Sequence, residues 1–220
     1  RFHKFAIEGI QDIQKQTEKS KAFYFPYVEE KKGVADKLLI ELAKNAAVVI
    51  TDDYPTYFVP QMTAEAKGSI QTTYELVDSN GLLPIRIAEK EYVRAHDFRR
   101  FMHKNIEDFL VEVPEKDPLE YLNLKFDEKL LEPIFKKYDL VDFNKVNTQD
   151  FLNNLNVDKS VEVSDVVGGY NAAKSRLDLF AKKGFNNYSK LRSHPSEDAS
   201  SQLSPYFHFG HISTYEVFEK

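Results

Sequence analysis

Between residues 22 and 77, short apolar runs alternate with amphipathic ones, and no other feature of the chain narrows its fold as far. Ala22 to Val28 reads as a strand, and Val34 to Lys44 as a helix with Ala35, Leu38, Leu39 and Leu42 inward. Ala46 to Thr51 is an apolar, β-branched strand. A helix around Pro60 to Lys67 and a strand at Thr73 to Val77 continue the series. Strands separated by helices run parallel, so the series predicts an α/β unit. Asp52, Asp53, Asp78, Ser79 and Asn80 follow two of the strands, where open α/β sheets bind small molecules. The same residues are ordinary turn formers, and no glycine-rich phosphate loop accompanies them.

Upstream, Phe2, Phe5, Ala6, Gly9, Ile10 and Ile13 recur with helical period, leaving Asp12, Lys15 and Glu18 on the outer side. An α/β unit opens on a strand, yet this sequence is in helical phase from Arg1-Phe2-His3. At the other end Ser213 and Glu216 form the capping box of a helix that Lys220 cuts after about two turns. A fragment is therefore expected, lacking its first strand and most of a C-terminal helical domain. Past Gly81 the texture changes. Charged helical sequence from Glu89 to Phe109, two prolines at 114 and 118, and short helical pieces to Leu155 read as a connector. In it, Arg94, His96, Arg99, Arg100, His103 and Lys104 interleave with Phe98, Phe101 and Met102, the pattern of a helix with one wet and one buried face. Phosphate contact is the alternative. From Val166 onward helices follow, through Ala172, Ala173, Ser175, Leu177, Leu179 and Phe180 to a stop at Gly184.

The 220 residues include no cysteine, which removes disulfides and thiolate metal ligands. No run approaches the roughly 18 to 20 apolar residues of a membrane span. A formal charge of −5 argues against a uniformly basic nucleic-acid binder and leaves room for a local contact. His208 and His211, three apart, would share a helix face. No third ligand stands at a natural spacing, so packed histidines and no metal site are expected.

The densest chemistry lies in Ser200-Ser201-Gln202-Leu203-Ser204-Pro205-Tyr206, where several hydroxyls precede a helix with Ser204 as cap and Pro205 as its first residue. Hydroxyls and free amides at such a turn can cradle an anion. The run from Ser200 to Ser213 follows Tyr188-Ser189-Lys190-Leu191-Arg192 and Gly168-Gly169-Tyr170-Asn171-Ala172-Ala173, and together they resemble the flavin-binding region of DNA photolyases and cryptochromes. In that family a tyrosine stands twelve residues before a Thr/Ser-Ser-x-Leu-Ser turn, the spacing of Tyr188 and Ser200. The Leu-Ser-Pro-Tyr-x-His-Phe-Gly-x-Ile-Ser variant is similar to that of many photolyases, the class II branch included.

The resemblance implies a Rossmann-like, parallel-sheet antenna domain over residues 1–85, without its first strand. It implies an interdomain connector over 86–160 and the start of an all-helical FAD-binding domain over 161–220. It implies FAD contacts from Tyr188, Ser200, Ser201, Gln202, Leu203 and Ser204, a DNA contact from Arg192, and a second, antenna chromophore of folate or deazaflavin type. It also implies a protein that splits pyrimidine dimers in UV-damaged DNA; with no apolar span and no secretory signal pattern, a cytoplasmic protein, monomeric when full length, is expected. A cryptochrome-type light-signalling protein is the alternative; a light-independent nucleotide-binding protein requires the Tyr188–Ser200 spacing to be coincidence. No residue is assigned to the chemistry itself. The chain has no tryptophan for an electron relay, and residues 1–220 alone are expected to hold FAD weakly.

Overall fold

A computed structural model describes residues 2–29, 31, 33–123, 126–197 and 199–220. In chain order the elements are α1 (Phe2–Thr17), α2 (Val34–Ala43), β1 (Val48–Asp52), α3 (Val59–Ser69), β2 (Thr73–Val77) and α4 (Ala95–Asn105). They continue with α5 (Glu132–Phe135), α6 (Thr148–Asn154), α7 (Tyr170–Leu179), α8 (Phe185–Leu191), α9 (Ser204–His208) and α10 (Thr214–Glu219). The chain divides into two compact units. One holds residues 27–116 and 127–140; the other holds 1–26, 117–126 and 141–220.

In the first unit β1 and β2 pair in parallel, from Val48 beside Thr73 to Asp52 beside Val77, with α3 as the crossover between them. The Val-Val-Ile-Thr run of β1 suits a pleated strand because its β-branched side chains restrict the backbone to extended angles. α2 packs against α3 and α5 and buries Leu38 and Ala43. Among the described residues the sheet has two strands, so the parallel α/β character holds in a smaller form than the alternation predicts. The strand expected at Ala22 to Val28 is absent. Pro26 has no N–H to give a ladder; its carbonyl instead accepts the Val141 amide at 3.0 Å, and Phe23 stacks on Phe126 at 5.1 Å.

The second unit is helical. α1 packs against α6 and α7, and its Phe5 joins Ala173, Leu177, Leu203, Tyr206 and Ile212 in the core. Two neighbours shift the buried arc of α1 to Phe5, Ile7 and Gly9, leaving Phe2 and Ile13 of the expected stripe exposed. Asp12, read as outward, is an acceptor for the Asn171 amide at 3.1 Å. Glu8 accepts the Gly168 amide at 2.7 Å, and His211 Nδ1 accepts that of Gly169 at 3.0 Å. Three side chains from two distant segments thus satisfy amides at the start of α7, donors that no intrahelical carbonyl can reach.

Gly184 does not stop a helix. Phe180–Gly184 forms a π turn that runs on into α8. Glycine is used here for space, because a Cβ would lie 2.7 Å from the Phe180 ring. The helix end comes instead at Gly210, whose φ of +66° closes α9: its amide reaches Phe207 O at 3.2 Å and the His211 amide reaches Tyr206 O at 2.8 Å. His211 is therefore beyond the helix and does not share a face with His208. Of the expected capping box, the Ser213 hydroxyl accepts the Tyr215 amide at 3.2 Å, while Glu216 accepts the Tyr170 phenol at 2.9 Å instead of reaching back. Burial foremost, with that carboxylate, pushes the Tyr170 phenol up to about 12.

His211 stacks on Phe5 at 4.6 Å, and burial pushes its imidazole below the usual histidine value despite Asp12 and Glu8 nearby. The folded state then binds fewer protons here than the unfolded chain. The stabilisation is complete above about pH 6.5 and is lost as pH falls below it. The denaturant midpoint is expected to drop between pH 7.5 and 5 in the native chain and to stay level over that interval in His211→Gln. Asp53, Asp142 and Asp178, held low by Arg86, Lys145 and Lys220, titrate below this window. Equal pH dependence in both proteins would refute the assignment.

Candidate functional site

The hydroxyl turn lies between α8 and α9, anchored by two buried side chains, Ala199 and Leu203. Between them Gln202 adopts φ 54° and folds the chain sharply. Arg176 on α7 staples the turn, Nε donating to the Ser201 carbonyl at 2.9 Å and a terminal nitrogen to that of Ser200 at 3.3 Å. Leu203 occupies the capping position of α9 and Ser204 is already helical, one residue earlier than the sequence reading; Pro205 still falls in the first turn, where a missing N–H costs nothing.

A hollow of about 320 Å³ opens between this turn and the continuous helix of α7, the π turn and α8. Arg176, Phe180, Lys183, Asn187 and Leu191 form its helical wall, and Glu197, Ala199 and Ser200 the other. Two cations, one carboxylate, an amide and a hydroxyl meet there. The two cations and the neutral donors suit an oxyanion such as phosphate, through charge-assisted and directional hydrogen bonds, while the Glu197 carboxylate opposes one. The volume lies at the small end for ligand pockets, enough for the phosphate end of a dinucleotide.

The residues named from the sequence fall in different places. Ser200 lines the hollow. Tyr188 borders it through Phe180, whose ring it meets edge-on at 5.5 Å, and the Arg192 guanidinium lies 5.8 Å over the Tyr188 ring. Leu203 is 1% exposed and belongs to the core, so only its backbone faces outward chemistry. The Ser201 hydroxyl accepts the Leu203 amide at 3.4 Å, and Gln202 and Ser204 are exposed. Ser201, Gln202, Ser204 and Tyr188 are not among the walls. Arg176, Lys183 and Asn187 were not singled out from sequence. Their signal is the helical stripe 176, 180, 183, 187, 191, which becomes meaningful only once it is seen to face the turn.

The rim after the two strands is committed to internal bonds. Arg86 grips both carboxylate oxygens of Asp53 and holds that carboxyl below the usual range; the Ser79 hydroxyl bonds Asp52; Asp78 accepts the Ile85 amide at 2.7 Å; and Asn80 donates to the Asp53 carbonyl at 2.8 Å. These are turn-forming uses.

The chain thus joins a small parallel α/β unit to a helical unit with a cation- and hydroxyl-lined hollow beside a tyrosine. No protein-family profile matches it. It is 26% identical over 214 residues to a deoxyribodipyrimidine photo-lyase of Methanothermobacter thermautotrophicus, covering 97% of this chain and 43% of that protein. Proteins of the same name from Potorous tridactylus and Arabidopsis thaliana are each 25% identical, over 97% and 95% of this chain and 37% and 41% of theirs. The chain is thus similar over nearly its whole length to proteins of the DNA photolyase family, the family its motifs resemble, and spans about two-fifths of the length of these proteins. Among the described residues, no helix is long and apolar enough to cross a membrane.

Proposed function

We propose that the chain is part of a light-driven DNA-repair flavoprotein of the deoxyribodipyrimidine photolyase type, in which it supplies one wall of the FAD site. The observation that carries this reading is the hollow where Ser200 faces Arg176, Lys183 and Asn187. In this assignment Arg176 and Lys183 neutralise the diphosphate, Ser200 and Asn187 direct hydrogen bonds to it, and Tyr188, held by Phe180 and Arg192, borders the adjoining sugar chain. Reduced FAD, when bound, supplies the excited electron that splits a pyrimidine dimer. Photolyases take their target base out of the duplex, at a cost of a few kcal/mol that is smaller at a damaged, weakly stacked site. Arg192, exposed at the end of α8, is assigned to the DNA side.

Titration of the 220-residue chain with FAD, followed by flavin fluorescence, tests the site. Binding weaker than micromolar is expected, because one wall leaves most of a dinucleotide in water. Lys183→Gln is expected to weaken it about tenfold and Ser200→Ala about fivefold, the loss of one charged and one neutral hydrogen bond. Affinity indifferent to both substitutions would place FAD elsewhere, and sub-micromolar affinity would show that this wall alone suffices. A longer protein that carries flavin and leaves dimers intact under blue light would be of the cryptochrome type instead.

A further inference from the structure

We propose that an exposed stripe on α4, formed by His96, Arg99, Arg100, His103 and Lys104, docks the phosphate backbone of nucleic acid. The choice of polyanion rests on the DNA-repair reading above; the surface itself is argued from charge and geometry. The five residues fall at i, i+3, i+4, i+7 and i+8, which puts them on one face of an 11-residue helix. All five are exposed.

Six cations of the described chain are held in ion pairs: Lys4 with Glu8, Arg86 with Asp53, Arg94 with Asp97, Lys137 with Glu41, Lys145 with Asp142 and Lys220 with Asp178. None of the stripe residues has a carboxylate within ion-pair distance among the described residues. In a chain where 35 acidic residues outnumber 30 lysines and arginines, three of those cations and two histidines share this face, and the helix's acidic residue, Asp97, stands at its edge paired with Arg94. The helix dipole favours cations in the last turn, which accounts for His103 and Lys104. It does not account for Arg99 and Arg100 at mid-helix.

On the opposite flank Tyr92 packs against Phe98 at 5.6 Å and Phe101 at 5.2 Å, while Phe98 stays 39% exposed, so the vesicle comparison below is what separates DNA from a lipid surface. The stripe is roughly 12 Å long at 1.5 Å per residue, the axial length of about three phosphates of one strand. Arg99, Arg100 and Lys104 match three such charges, with imidazole N–H groups as further donors.

Anisotropy of a labelled, undamaged DNA duplex, titrated with the 220-residue chain at several salt concentrations, tests this. Micromolar binding is expected at low salt. The variant R99Q/R100Q/K104Q is expected to weaken it at least tenfold and to flatten the slope of log K against log salt by about 2 to 3, one unit per neutralised phosphate. R99K/R100K, which keeps the charge, is expected to retain both. Unchanged thermal transitions in both variants show that neither has lost its fold. Absence of duplex binding at low salt, or the same affinity and slope in the triple-glutamine variant, overturns the proposal. So does a loss seen with phosphatidylserine vesicles and not with DNA. The FAD titration reads the Ser200 hollow separately: duplex binding that depends on the stripe in a chain indifferent to FAD would uphold this surface while the flavin assignment fell.

Discussion

Gly169→Ala is expected to lower the stability of the helical unit by about 3 kcal/mol, a fall of roughly 6 to 12 °C in its thermal transition. Gly169 has φ 94° and ψ 164°, a region that an L side chain avoids at a cost of about 1 to 3 kcal/mol. The added methyl would also sit 2.4 Å from the Asp12 carboxylate. Asp12 would have to move, and with it would go the bond to the Asn171 amide. Because His211 is bonded to the Gly169 amide itself, the same displacement loosens the contact between the loop after α9 and the start of α7. Calorimetry on the alanine variant measures the effect; a shift under about 2 °C would mean that the backbone relaxes into an ordinary conformation without losing these bonds.

Leu203→Ala is expected to cost about 3 to 5 kcal/mol, the range for removing a leucine from a closed core. Leu203 is among the largest fully buried side chains in the structure and touches the cluster that joins α1, α7 and α9. This outcome separates two roles that the motif leaves entangled. If Leu203 acts by packing, Leu203→Met, similar in volume, costs less than about 1.5 kcal/mol and leaves FAD affinity per folded molecule unchanged. A well-folded Leu203→Ala chain with weakened FAD binding would assign the side chain to the ligand instead.

What could be read from sequence was what neighbours in sequence decide. β2 spans the expected residues, and β1, α2 and α3 lie within two residues of their expected ends, because period and β-branching act over a few positions. The misreadings share a different cause. Gly184 has the composition of a helix stop, yet it is required by the ring of Phe180, a contact that periodicity does not encode. Asp12 and Glu216 look like solvent-facing and capping residues, and each is taken by a group more than 40 positions away, the Asn171 amide and the Tyr170 phenol. The strand expected at 22–28 contains Pro26, which lacks the N–H that an interior ladder position needs. At the hollow, Ser200 stood out because hydroxyls cluster around it, whereas Arg176 and Lys183 are unremarkable helical cations until the turn is folded against them.

The packing of α1 on α7 has a consequence for biosynthesis. Phe5 is made at the start of this sequence, but its partners Ala173, Leu177, Tyr206 and His211 follow more than 160 residues later. At 5 to 20 residues per second, the nascent helix waits roughly 10 to 40 seconds with its aromatic side uncovered. Contacts this distant along the chain also slow the conformational search after release. The first sixteen-residue helix is thus a segment that a chaperone would shield during translation.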